Sequence, residues 1–417
     1  MAPHLTDGQR GAAVSAPSVP RWEVADLFRL YGEAYRRDHL VPPSQQKVRR
    51  AIEACRTAPL GGHAAHGPTC GCERYAYTSC RNRHGPKCQT LTKGQGLEDR
   101  KTERWPVPYC HTVFTLPHAL TLVVLNNTRT LLPLVCKAAR ETLRPCGRRN
   151  LGGQLGCTLV LHPWAQTLGA HCHVHCVMPA GALALDGERW IAAAPRFLLP
   201  VRALSRVFRG TFLEALTQAC TKGAFTFTGT IAALGTPQGF ATLHEPLRSK
   251  DWVVSTKKPC GGPAQGLDYV SRSTHRVALA NTRSSEGGDG WGRCTSRHRH
   301  QGDRVQSMTL DAQEFLRRFL LHIVPSGCMR IRHGGCLANR WKAHALRQCR
   351  QLLGQSPDPP PRALRSVAEW MRPLPGIDLT QCPHCGYGPL VRSPLPSLTG
   401  LSPHGGTSQE VPPCDSS

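Results

Sequence analysis

Three histidines alternate along His171-Cys-His-Val-His175. In an extended strand, alternate side chains share a face. His171, His173 and His175 then project together, and Cys172, Val174 and Cys176 point the other way. Neighbouring imidazoles about 7 Å apart along a strand can converge on one divalent ion. Such an ion can act as a Lewis acid on a phosphoryl oxygen. The chain carries 20 histidines, and a bare His-x-His does not separate this chemistry from a structural zinc site or a chance cluster.

A polarised phosphate still needs a nucleophile. Downstream comes Gly266-Leu-Asp-Tyr269-Val-Ser-Arg-Ser-Thr-His-Arg276, preceded by Gly261, Gly262 and Pro263, which suit a helix start. On a helix, Tyr269 and Ser273 lie at i and i+4, as do Arg272 and Arg276, with His275 nearby. The arginines offset charge on a phosphate and favour the phenolate. A tyrosine–phosphate ester conserves the bond energy, so rejoining needs no nucleotide cofactor. Read by itself, Tyr269 is a half-buried helix aromatic sooner than a nucleophile.

A second constellation lies upstream. Cys70, Cys72, Cys80, His84 and Cys88 are crowded together, with Cys55, His63 and His66 before them. Structural zinc takes four N or S ligands in a tetrahedron. Cys80-x3-His84-x3-Cys88 has ligand spacing, with Cys70 as the expected fourth and Cys72 or His66 able to stand in. Arg74, Arg81, Arg83 and Lys87 are interleaved, as a DNA-contacting finger needs. The motif Cys382-Pro-His-Cys385 is half a zinc site with no partner visible in the sequence.

The remaining composition sets the context. The 417 residues include 52 Lys+Arg against 27 Asp+Glu, a net charge of +25. Such a surplus favours a polyanionic partner, because each cation placed on a phosphate releases a condensed counterion. Charge alone does not separate DNA from RNA or an anionic membrane. There is no apolar run of about 18 residues, and the first residues lack a charged region followed by an apolar core. The expected compartment is the cytoplasm, where the 20 cysteines are metal ligands or small buried hydrophobes rather than a disulfide framework.

These groups need elements to hold them. Residues 1–23 read as a loose arm and 24–54 carry helical periodicity. Residues 55–90 suit a small metal-stapled module, since they bury little core unaided. Strands are expected at 111–116, 157–162, 171–178 and 252–256, and helices at 119–143, 201–221 and 311–324. The Gly-, Ser- and Arg-rich stretch 282–304 reads as a loop or weak hairpin. The basic segments 202–209, 250–258 and 330–350 could track a phosphate backbone. The expected division is arm 1–23, zinc-binding and DNA-binding module 24–105, catalytic domain 106–353, and a Pro/Ser-rich tail 354–417.

Taken in order, the motifs resemble the IS91 family of rolling-circle transposases, which belong to the HUH (His-hydrophobe-His) endonucleases. The matching stretches are Cys55-Arg-Thr with Gly61-Gly-His63; Ser79-Cys-Arg-Asn-Arg-His84 with Pro86-Lys-Cys-Gln89; Val113-Phe-Thr-Leu-Pro-His118; Leu161-His-Pro-Trp-Ala-Gln166; His171-x-His-Val-His-Cys176; Gly261-Gly-Pro; Tyr269-x-x-Arg-x-Thr-His-Arg276; and Arg330-Ile-Arg-His333 with Leu337-Ala-Asn-Arg340. The resemblance runs from about residue 24 to 353.

It implies an α+β fold: a small zinc-binding module, then an HUH-type domain with a central antiparallel sheet flanked by helices. It also implies nicking of one strand of a transposon end, attachment to the 5′ phosphate and release of a 3′ hydroxyl, in a bacterial, nucleoid-associated setting. On this basis His173 and His175 hold Mg²⁺ or Mn²⁺, with His171 and Gln166 as candidates for the third ligand. Tyr269 is the nucleophile, Arg272, His275 and Arg276 contact phosphate, and Cys70, Cys80, His84, Cys88 and Cys72 form the zinc set. Single-stranded DNA is the partner. The chain departs from the family at Ser273, where a second tyrosine is common, and at Gly67 and Gly85, where cysteines are expected. An impaired copy acting only as a zinc-dependent DNA-binding protein, or a relaxase or replication-initiator relative, are the alternatives.

Overall fold

The computed structural model describes residues 23–397, apart from 86–87, 89–94, 97, 99–102, 104, 166–167, 195–199, 261–283, 289–290, 299–303, 360–368 and 370–380. The chain opens with two helices, α1 (Val24–Asp38) and α2 (Pro43–Ala54). A capping box between Glu23 and Asp26 starts α1, and a proline at the first position starts α2, where its missing N–H has no intrahelical partner to lose. A hairpin follows, β1 (Gly62–His66) and β2 (Glu73–Tyr77).

Next come β3 (Tyr109–Thr115), α3 (Thr121–Asn126), α4 (Thr128–Leu151), the short β4 (Gly153–Gln154), β5 (Gly156–Trp164) and β6 (Ala170–Pro179). The expected single helix over 119–143 is interrupted at Asn127, whose backbone leaves helical geometry. Its side chain instead donates to the Thr226 carbonyl at 2.9 Å and accepts from the Thr226 N–H at 2.7 Å. After β7 (Gly181–Ala184) and β8 (Trp190–Ala192) come α5 (Val201–Thr221), α6 (Pro237–Ser249) and β9 (Val254–Cys260). The stretch expected to be a loop or weak hairpin forms part of a three-stranded antiparallel meander, β10 (Ser284–Gly288), β11 (Trp291–His298) and β12 (Arg304–Asp311). Then follow α7 (Ala312–Leu321), β13 (Ile331–Gly335) and α8 (Asn339–Leu352). Within the expected tail, β14 (Val391–Leu395) pairs antiparallel with β1.

The central sheet has five antiparallel strands in the order β13-β5-β6-β3-β9. Its two faces follow from the period of two. Cys172, Val174, Cys176 and Met178 of β6, Phe114 of β3, and Leu159 and Leu161 of β5 join the main core with α4 and α5. Val160 and Val177 point to the opposite face, where they pack with Ala345 and Cys349 of α8. The histidines of β6 share that second face. The α+β class and the helix-flanked antiparallel sheet are those the sequence implied.

The N-terminal helices do not stand apart. Leu27, Phe28, Val48 and Ile52 share one buried cluster with Phe315, Leu316 and Phe319 of α7. No helix among the described residues is long and apolar enough to cross a membrane.

Candidate active site and metal centres

β6 presents His173 and His175 on one face, and its hairpin partner β5 places His162 directly across from His173. The ligand nitrogens of these three lie within 4.8 Å of one another. Ring centroids are 5.4 Å apart for His162 and His173, 4.5 Å for His162 and His175, and 4.9 Å for His173 and His175, each pair edge-on. Rings arranged in this way aim nitrogens at a common point rather than stacking.

Neighbours fix the rings. The Nδ1–H of His173 donates to the His171 carbonyl at 2.9 Å, which leaves Nε2 as its metal-facing nitrogen. Nδ1 of His175 lies 2.9 Å from Nε2 of His111 on β3, and those two rings are near-parallel. A histidine ligand whose other nitrogen is held in this way has its orientation set in advance. Burial pulls His173 down to about 4 and, with a smaller push from Lys257, His111 down to about 4. Both are therefore neutral near pH 7, the form in which imidazole ligates. The donor set fits a divalent ion, and nitrogen donors favour a transition metal over Mg²⁺.

His171 supplies the backbone carbonyl but is not part of the convergent trio; its ring lies 5.3 Å from that of His173. Gln166, Tyr269, Arg272, His275 and Arg276 lie outside the described residues. His162, within the Leu161–Gln166 motif, carries no local signal of this role, because only the β5–β6 register sets it opposite His173. Beside it, Trp164 stacks at 5.5 Å and carries the Arg330 guanidinium 6.0 Å from its ring centre. Burial lowers Arg330 to about 10, so it still brings a positive charge near the histidines. Arg206, Arg209, His244 and Arg248 line an open groove on α5 and α6. Arg209 is partly engaged there with the Lys250 carbonyl and Asp251.

The cysteines form separate groups. Cys55, at the end of α2, meets Cys80 and Cys88, with Sγ–Sγ distances of 3.4 Å for Cys55–Cys88 and 3.5 Å for Cys80–Cys88. Thiolates at about 2.3 Å around a tetrahedral zinc stand roughly 3.8 Å apart, so the trio fits that ion. Thiol hydrogen bonds from Cys55 and then Cys80 hold Cys88 down to about 2, while hydrogen bonds with Cys55 and then Cys88 push Cys80 far up. A Cβ placed on Gly85 would lie 3.3 Å from the Cys88 sulfur and 3.5 Å from that of Cys80. A side chain at position 85 would therefore start beside these two sulfurs.

His84 does not join this trio. Its Nδ1 is 3.2 Å from the Asn82 side-chain oxygen, and its buried ring is held down to about 3 by burial and then by Arg83, Arg330 and His322. Cys70 groups instead with Cys382 and Cys385. Cys72 belongs to neither group among the described residues.

Comparison with known proteins places this arrangement. Residues 27–116 match the family model described as "Transposase zinc-binding domain", and residues 156–344 match the one described as "Putative transposase". The chain is 45% identical over 374 residues to "Putative transposase y4qJ" of Sinorhizobium fredii (strain NBRC 101917 / NGR234), covering 88% of this chain and 94% of that protein. The chain belongs to the IS91-type transposase family. It is also 23% identical over 349 residues to the transposase for insertion sequence element IS801 of Pseudomonas savastanoi pv. phaseolicola, covering 83% of each.

Among solved structures, two of the conjugative relaxase TrwC in complex with OriT DNA align with 39% of this transposase. The metal-free structure gives 14% identity over 71% of the relaxase chain and a TM-score of 0.23; the metal-bound one gives 13%, 69% and 0.22. Scores of this size do not define a common fold.

Proposed function

We propose that this transposase cuts and transfers single-stranded DNA at the ends of its element, using a divalent metal at His162, His173 and His175 and Tyr269 as nucleophile. The observation that carries this reading is the convergence of three imidazoles on one face of the sheet, beside a half-buried arginine, in a chain of net charge +25.

When bound, the ion supplies Lewis acidity to a non-bridging phosphate oxygen. His111 and the His171 carbonyl keep the ligand rings aimed. Arg330, and Arg272 and Arg276 from the tyrosine segment, offset charge on the phosphate. The Tyr269 hydroxyl gives up its proton as its oxygen bonds to phosphorus, the bond to the 3′ oxygen breaks, and that oxygen takes up a proton to leave as a hydroxyl. The 5′ phosphate stays on the tyrosine. Attack by a 3′ hydroxyl then reverses the step and rejoins the strand. On this reading, 24–105 is the zinc-binding, DNA-contacting module, with zinc on Cys55, Cys80 and Cys88, and 106–353 is the catalytic domain.

The test is formation of a covalent adduct between the purified full chain and a labelled single-stranded terminus in Mn²⁺. Wild type should form the adduct. Tyr269→Phe should form none. His173→Ala should lose cleavage yet keep DNA affinity within a few-fold, since that affinity is largely phosphate electrostatics. Absence of any adduct from wild type that still binds DNA would leave the transposase as a binding protein only, the outcome favoured if Ser273, Gly67 and Gly85 have disabled the copy.

A further inference from the structure

The Cys382-Pro-His-Cys385 motif has no partner nearby in sequence, but it has one in space. The Cys382 sulfur lies 3.7 Å from that of Cys70, across 312 residues of chain. The ligand atoms of Cys70, Cys382 and Cys385 lie within 4.8 Å of one another, and Cys382 is buried. This is the spacing of a tetrahedral thiolate–zinc site, about 3.8 Å between sulfurs, and is far longer than a disulfide.

The backbones on the two sides are alike. In the turn of the β1–β2 hairpin, the Gly71 N–H donates to the Gly67 carbonyl at 2.8 Å, with Gly71 in the left-handed region at φ 65°. In the C-terminal turn, the Gly386 N–H donates to the Cys382 carbonyl at 2.8 Å, with Gly386 at φ 75°. Each turn is thus a four-residue loop closed by a left-handed glycine, running 67–70 on one side and 382–385 on the other. In the C-terminal loop both ends are cysteines. In the N-terminal loop the first end is Gly67. A Cβ placed there would lie 3.1 Å from the Cys70 sulfur and 3.3 Å from the Cys382 sulfur. The fourth corner of the tetrahedron is therefore the side chain that Gly67 lacks.

Other contacts bring the two knuckles together. β14 pairs with β1 along its whole length, from Gly62–Leu395 to His66–Val391. Beyond it, the Ser397 hydroxyl donates to the Pro59 carbonyl at 2.7 Å. Strand pairing places the loops side by side, and a metal would lock them.

We propose that Cys70, Cys382 and Cys385 form a second zinc site, separate from the Cys55–Cys80–Cys88 site, which clasps the C-terminal segment onto the N-terminal hairpin. The segment 381–397 is then the closing strand of the zinc module rather than part of a tail. With Gly67 in place, the fourth position is taken by water or another small exogenous ligand.

The test uses the full chain expressed with zinc, freed of loosely held metal and assayed for zinc per chain. Cys382→Ser/Cys385→Ser should lose about one zinc equivalent relative to wild type. It should also become sensitive to limited proteolysis within residues 381–397, which carry β14, while Cys55→Ser loses its own equivalent independently. A folded double variant with the wild-type zinc content overturns the proposal. Should that variant not fold, Gly67→Cys decides. It should slow zinc loss to a chelator by at least about tenfold and add one thiolate to the charge-transfer absorption of the cobalt-substituted protein. In the Cys382→Ser/Cys385→Ser background it should do neither. Unchanged zinc retention and an unchanged cobalt spectrum in Gly67→Cys overturn the proposal equally.

Discussion

His162 and His171 compete on paper for the same place in the metal site, and the sheet separates them. His171 is a neighbour of His173 along β6, where alternate positions stand about 7 Å apart. His162 sits across the hairpin from His173, where cross-strand side chains approach to about 5 Å. His162 lies close to both other ligands, 5.4 Å from His173 and 4.5 Å from His175 between ring centres. His171, 5.3 Å from His173, is two positions further from His175 along β6, so the three nitrogens that can share an ion include the cross-strand residue. His162→Ala should weaken Mn²⁺ binding by more than about 100-fold, and His171→Ala only a few-fold, because the alanine retains the carbonyl that holds His173. His111→Gln, which disturbs the ring partner of His175, should cost about 10- to 100-fold in metal affinity. Calorimetric Mn²⁺ titration reads all three. Equal losses in His171→Ala and His162→Ala would remove His162 from the site. A parallel argument applies to zinc: Gly85→Cys starts a side chain beside the Cys80 and Cys88 sulfurs and should make the Cys55–Cys80–Cys88 site release zinc to a chelator more slowly.

At the scale of elements, α1 and α7 are joined by aromatic packing. Phe28 and Phe319 meet edge-on with centroids 5.3 Å apart, and Phe315 lies 6.3 Å from Phe319; all three are fully buried. Truncating such a side chain removes its transfer free energy and leaves a cavity. Phe28→Ala should therefore cost about 3–5 kcal/mol in urea unfolding, against under about 0.5 kcal/mol for a substitution at exposed Leu30. A Phe28→Ala cost near zero would mean that the helices dock elsewhere. The helices themselves were legible because their patterns are local: 201–221 was expected and α5 has those bounds. The alternation of β6 was legible for the same reason.

What could not be read depends on register and return path. His162 joins the site only because the hairpin register sets it opposite His173. Cys70 looks adjacent to Cys80 in sequence, but β1 runs out from the Cys55 end and β2 runs back. Cys70 and Cys72 are thereby left at the tip, while Cys55 and Cys80 meet at the base, tied by the Thr78 N–H to the Gly61 carbonyl and the Arg56 N–H to the Thr78 carbonyl. Cys382 reaches Cys70 only by strand pairing across the whole chain, for which no local pattern exists.

At the scale of the molecule, the shared core of α1, α2 and α7 means that the zinc-binding domain and the central sheet should unfold together, and two buried histidines allow this to be tested with pH. His84 belongs to the zinc module, and His322 follows α7. His84 is held down to about 3 by burial and then by Arg83, Arg330 and His322. His322 is held down to about 4 by burial. Unfolded, each returns to about 6.5. Between about pH 4 and 6.5 the unfolded chain therefore binds more protons than the native one, so stability rises with pH across that window. This contribution is fully present above about 6.5 and is lost as pH falls towards 4, at about 1.4 kcal/mol per pH unit for each histidine. Thermal unfolding followed from pH 7 to 5 should show one transition whose midpoint falls with acid. His322→Gln should flatten that fall, on a signal from α1 and α2 as much as on one from the sheet. A variant with the wild-type pH slope, or two separate transitions of which only one responds, would show that the two halves do not share a fold-wide equilibrium.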